Sequence, residues 1–191
     1  MSGAALLDDP VVVGQIHRFT LNEYHRLADN WQIDQRTELI EGVIINKMPK
    51  SPLHVYLIET LREILASAFK AGYLVRQEQP LSIPALQSEP EPDLCVVRGT
   101  KDDFLNAHPH TAEVVVEVAV SSLPLDRAKL RGYALAQIPE VWIVRADNHT
   151  VEIYRKPEGD GYSVTSVMSN DAVLLVHGKD VQVQTIFPKN P

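Results

Sequence analysis

Two acids stand in places that disfavour acids. Asp93 lies in E-P-D-L-C-V-V and Glu117 in V-V-V-E-V-A-V. Both stretches read as strands, where Asp and Glu are depleted. A carboxylate in a buried strand must be ion-paired, hydrogen-bonded or bound to a cation. A solvent-facing strand end, an edge strand or a structural ion pair would each account for one such acid. Two on successive strands suggest convergence, and paired carboxylates suit a hard divalent cation such as magnesium. Such a cation polarises a phosphate and lowers the pKa of an attacking water. Lys129 is the third group. If Asp126 is the N-cap of the helix that follows, Lys129 sits at its third position, against the helix dipole. It shares the edge of an inward stripe with Leu130, Tyr133 and Ala134, within reach of Glu117. A surface lysine lying along its own helix is the plain alternative.

Other reactive types carry weaker signals. His108 and His110 flank Pro109 in a loop and read as solvated. Cys95, the single cysteine, sits between Leu94 and Val96 as a small buried hydrophobe. Trp142 reads as core. Pro157 to Gly161 is a turn, since no helix follows it to cradle a phosphate. There is no P-loop and no dinucleotide fingerprint.

The elements that must position these groups follow from pattern. Thr20 to Leu27 reads as a short helix, with Thr20 and Glu23 as a capping box. T-E-L-I and V-I-I-N-K-M form strands around the turn dipeptide Glu41-Gly42. Ser51-Pro52 opens the clearest helix, which runs to Phe69. His54, Ile58, Leu61, Leu65 and Ala68 make its stripe, Leu57 and Ile64 widen it, and Gly72 is placed to end it. Residues 73–84 read as a long strand or strand pair, with Pro80 marking an edge or bend. A short strand enters through Pro92. Residues 113–120 and 138–147 read as strands buried on both faces, with a helix from about Asp126 between them. A hairpin follows around Pro157 to Gly161, and V-L-L-V and V-Q-V-Q-T-I-F are read as final strands. The strand–helix–strand step implies a right-handed crossover and a partly parallel sheet. The fold class expected is α+β: a central mixed sheet flanked by helices, with additional β-hairpins.

The chain of 191 residues is 45% hydrophobic and 23% charged, the composition of a globular protein. A lead-in over 1–19 and one domain over 20–191 fit that length. No apolar run approaches the ~18 residues of a membrane span. Acidic Asp8 and Asp9, with no basic stretch, do not read as a signal peptide. The expected location is cytoplasmic. One cysteine excludes an internal disulfide. The net charge of −7 argues against coating nucleic acid by charge alone. It is uneven: residues 1–126 carry net −8 and residues 127–191 net +1. Arg127, Lys129, Arg131 and Arg145 form a locally basic stretch.

The order P-D, V-V-E-V, S-S-L-x-x-D-R-x-K-x-x-x-Y-A and I-P-E-V-W-I-V resembles the Uma-two family. That family consists of restriction-endonuclease-like proteins in the PD-(D/E)XK nuclease superfamily. E-L-I-E-G-V-I, S-P-L-H, V-E-I-Y-R and a tail ending I-F are also similar, so the resemblance covers roughly residues 20–188. It implies a restriction-endonuclease-like core. Asp93 matches the Asp of P-D, and Glu117 the first acid of the (D/E)XK element. The usual lysine position two residues on is Ala119, and the family's pattern answers it with a helix lysine, here Lys129. Glu38 matches a recurrent acid before the hairpin turn, and His54 a recurrent histidine opening the long helix.

The implied chemistry is phosphodiester hydrolysis assisted by Mg2+ or Mn2+. Asp93, Glu117 and the Val118 carbonyl would hold the ion. Lys129 would orient or deprotonate water, or stabilise developing charge. Glu38 would serve a second ion or a metal-bound water, or face solvent as a strand acid. His54 falls on its helix's apolar face, where a hydrogen-bonded core histidine is the simpler reading. Asp126 is an N-cap first and a partner of Lys129 second. The expected partners are DNA and a second copy of the chain, the latter by analogy. An inert nuclease-fold binding or assembly module, or another metal-dependent phosphoesterase, are the competing readings.

Overall fold

The computed structural model describes residues 9–34 and 36–189. Within the lead-in, Asp9 caps a one-turn helix, α1 (Pro10–Val13). Helix α2 (Leu21–Asp29) carries the expected capping box: Thr20 and Glu23 each satisfy the other's backbone N–H. Strands β1 (Thr37–Ile40) and β2 (Val43–Asn46) pair as an antiparallel hairpin. Its two turn residues, Glu41 and Gly42, have φ of 49° and 75°, as a two-residue type I′ turn requires. A Cβ on Gly42 would meet Arg18 Cβ at 2.7 Å. Ser51 accepts the His54 N–H at 3.2 Å to start α3 (Pro52–Ala68).

The central sheet has six strands in the order β3 (Tyr73–Gln77), β4 (Leu94–Arg98), β5 (Val114–Ala119), β6 (Glu140–Arg145), β7 (Thr150–Glu158) and β8 (Gly161–Met168). All neighbours are antiparallel except β5 and β6, which are parallel and joined through α4 (Leu123–Leu135). Alternation divides the core into two layers. Leu94, Val96, Val116, Val118, Trp142 and Val144 face α3, together with the hairpin β9 (Val173–Val176) and β10 (Lys179–Gln182). Cys95, Val97, Val115 and Val141 face the other way, onto Tyr133 of α4. Every residue of β5 is buried, so Glu117 lies in the sheet's interior on the α4 side.

Four expectations need correction. Helix α4 starts at Leu123, not near Asp126, because Pro124 suits a first turn whose N–H groups need no intrahelical acceptor. Asp126 is therefore inside the first turn rather than the N-cap, and Lys129 is a turn further in than the third position. Helix α3 ends at Phe69 in extended backbone, and Gly72 instead makes the turn into β3 with φ of +89°. The 73–84 stretch is a strand only to Gln77; β3 is the sheet edge, and Pro84–Leu86 forms a 3-10 turn. Likewise V-Q-V-Q-T-I-F contributes only its first two residues to β10 before a 3-10 turn at Val183–Thr185.

Candidate active site

The β4–β5 ladder stops at Leu94↔Val116. Beyond it the two strands are joined by side chains. Asp93 Oδ2 accepts the Val118 N–H at 2.7 Å, and Glu117 Oε2 accepts the Asp93 N–H at 3.3 Å. Each carboxylate is thus latched to the other's strand. Because N–H and C=O of one strand residue point the same way, the Val118 carbonyl shares this edge.

Lys129 reaches back from α4 as expected. Its Nζ lies 3.4 Å from Glu117 Oε1 and 3.1 Å from Glu38 Oε1, with all three side chains buried. Glu38 does not face solvent. The hairpin holding it is fastened to residues 87–89, where Leu39 O accepts the Glu89 N–H at 2.7 Å. Glu38 Oε2 accepts the Glu91 N–H at 3.1 Å. His54 is not sealed in the core: its Nε2 lies 3.3 Å from Asp93 Oδ1, and Asp93 raises its pKa against the opposing effect of burial. Asp126 is buried and accepts the Ser122 hydroxyl at 2.6 Å.

These groups line one cleft of about 390 Å3, with Arg36, Lys47 and Lys50 also in its wall. Two contributors escaped the sequence reading. Tyr133, buried on the α4 stripe, donates its hydroxyl to Glu117 Oε1 at 2.5 Å. A tyrosine at a core position gives no sign of that role. Glu78, just past β3, lines the cleft and pairs with Lys50. Only its nearness to the edge-marking Pro80 hinted at it.

Electrostatically the cluster is short of positive charge. Burial pushes the Glu117 carboxyl up to about 8 despite Lys129, with Asp93, Asp126 and Glu38 adding to the rise. Burial likewise lifts Asp126 to about 6. Burial pulls Lys129 down, but Glu117, Glu38 and Asp126 overcome it and the net shift is upward. One ammonium thus serves several acids, and a further cation is what the site's charge admits. The donors are hard oxygens: Asp93, Glu117 and the Val118 carbonyl. Among the described residues no three or more His, Cys, Asp or Glu side chains form a metal-holding group. The set that fits is two carboxylates and a carbonyl completed by water, as magnesium tolerates.

The remaining candidates lie apart. His108 and His110 are exposed, and His110 Nδ1 is 3.0 Å from the Ser82 carbonyl. Cys95 is buried and its thiol is pushed up to about 12 by burial, so it is inert as a nucleophile. Trp142 is core. The basic stretch is internally spent. Arg127 pairs with Glu152, Arg131 with Glu41 and Asp160, Arg145 with Asp147 and Glu152, and Lys129 is buried. No helix among the described residues is long and apolar enough to cross a membrane.

Comparison with known proteins bears on the whole scaffold. The fold matches the crystal structure of a putative nuclease belonging to DUF820 from Anabaena variabilis ATCC 29413, with a TM-score of 0.73 and 18% identity over 88% of this chain and 97% of that one. At that identity the likeness establishes the fold, an α+β architecture on a central mixed sheet. No curated protein matches. The model of the Uma2 family, described as "Putative restriction endonuclease", matches residues 21–187. That span includes every residue of the cleft, and the chain belongs to the Uma2 family.

Proposed function

We propose that this protein is a metal-dependent endonuclease that hydrolyses phosphodiester bonds of DNA. The observation that carries the reading is the convergence of Asp93, Glu117 and Lys129 in a single cleft, with carboxylates latched across a broken strand ladder. Asp93, Glu117 and the Val118 carbonyl hold Mg2+ or Mn2+. The bound ion supplies Lewis-acid polarisation of the phosphate and a more acidic water. Glu38 and Tyr133 fix the positions of Lys129 and Glu117. Lys129 stabilises negative charge building on the phosphate, the role of a fixed cation in a water-poor site. His54 orients Asp93.

Supercoiled plasmid incubated with Mg2+ or Mn2+ tests this. Wild type nicks it, and Asp93→Ala and Glu117→Ala each lose the nicking while remaining folded by circular dichroism. Absence of nicking by wild type with either metal overturns the reading. One observation favours the inert-module alternative: Lys129 Nζ is already held between two carboxylates and is shielded from solvent. That module would bind DNA without cutting it, and both alanine variants would bind as wild type does.

A further inference from the structure

A second cavity, of about 280 Å3, opens beside the edge strand β3, with Arg76, Pro80, Lys101, Phe104 and His108 in its wall. Arg76 is its unusual member. It is 5% exposed, and of the two buried cations it is the one without a carboxylate: Lys129 faces two, whereas among the described residues no acid pairs with Arg76. One Nη donates to the Pro80 carbonyl at 3.3 Å, and the guanidinium carbon stands 5.3 Å from the Phe104 ring centroid. Its Nε is buried with no hydrogen-bond partner. A buried charge is normally paired, because desolvation is costly. Burial accordingly lowers the Arg76 pKa, opposed only by Cys95. In the nearest turn Asp103 is committed to the Thr100 N–H and hydroxyl at 2.7 and 3.0 Å, and Asp102 is exposed and makes no ion pair with Arg76.

We propose that this pocket is an anion site for a phosphate group, with the Arg76 guanidinium as its main ligand and Lys101 at its mouth. The planar N–H fork of arginine matches a phosphate's paired oxygens, and the second cation suits a doubly charged tetrahedral ion. The site is separate from the nuclease cleft and does not depend on catalysis there. It is close to it, however. Glu78 lines the cleft and Gln79 lines this pocket, and Arg76 and Asp93 project from the same sheet face through the Arg76↔Cys95 pairing. The phosphate can come from a nucleic-acid strand passing along that face or from a free phosphate or mononucleotide.

Inorganic phosphate, titrated at constant ionic strength against sodium chloride, is the probe. Calorimetry and thermal unfolding of the full chain give the readout. Wild type binds phosphate and melts higher than in matched chloride. Arg76→Met abolishes the effect, and Lys101→Glu, an exposed change that the fold tolerates, weakens binding at least tenfold. If Arg76→Met does not fold, Lys101→Glu and Lys101→Ala decide. A phosphate response equal to that of chloride, or one undiminished in Lys101→Glu, overturns the proposal. In EDTA, a short single-stranded oligonucleotide that loses affinity in Lys101→Glu identifies a strand phosphate as the ligand. Unchanged oligonucleotide binding alongside lost phosphate binding identifies the free anion.

Discussion

Tyr133 donates to Glu117 from a fully buried position, so its hydroxyl has no competing water. Tyr133→Phe keeps the ring packing and removes one donor from a buried acid. Leaving a buried polar group without one of its partners costs about 1–3 kcal/mol. The expected outcome is a stability loss of that order in urea unfolding, together with weaker plasmid nicking because Glu117 is less firmly held. Asp93 and Glu117 were legible in the sequence because their type conflicts with the strands around them. Lys129 was legible because it sits on an inward stripe. Tyr133 was not, since a tyrosine at an apolar position looks like core until its hydroxyl's partner is known. His54 and Glu38 could be aligned by resemblance, but their partners Asp93 and Lys129 depend on how a separate hairpin and helix dock.

Among the elements, the β1–β2 hairpin carries Glu38 into the cleft through a turn whose two residues, Glu41 and Gly42, both hold positive φ. Gly42→Ala forces a side chain into left-handed backbone and against Arg18. Such strain costs on the order of 1–3 kcal/mol, and the variant should show a correspondingly lower urea midpoint and impaired nicking. A second junction ties α4, β6 and β7 together. Glu152 of β7 accepts from Arg127 of α4 at 2.6 Å and from Tyr154 at 2.7 Å, with Arg145 of β6 at 3.5 Å. Burial raises the Glu152 carboxyl, but these partners overcome it and hold it below its ordinary 4.5. Its contribution is therefore present above pH 4.5 and lost as the pH falls through the lowered folded value. In Glu152→Gln, the fall in stability between pH 5 and 3 should be shallower than in wild type, as read from urea midpoints. Helix and strand types followed from periodicity almost everywhere. Boundaries slipped where a proline was ambiguous, as at Pro124, or where a strand-like run ended in a 3-10 turn, as after Gln182.

For the molecule as a whole, the net charge of −7 and the engaged Arg127–Arg145 cations leave little positive surface on that segment for a polyanion. The sequence could show where those cations were, but not that acids distant in the chain neutralise them. Phosphate contacts set the affinity of DNA binding and its salt dependence. Duplex binding should therefore be weak in EDTA near physiological salt and should rise when Ca2+, Mg2+ or Mn2+ enters the cleft. Fluorescence anisotropy checks this; tight binding in EDTA would contradict it. The cleft draws on β1, α3, the segment entering β4, β5 and α4, so its members span the chain from Arg36 to Lys129. During synthesis Glu38 is made 91 residues and Glu117 12 residues before the lysine that opposes them, and until α4 docks they are solvated carboxylates. The β5–β6 crossover is a non-local pairing, and such pairings form late. A growing or partly unfolded chain therefore lacks the assembled cleft, and the proposed activity would wait until β6 has been made and α4 has docked between it and β5.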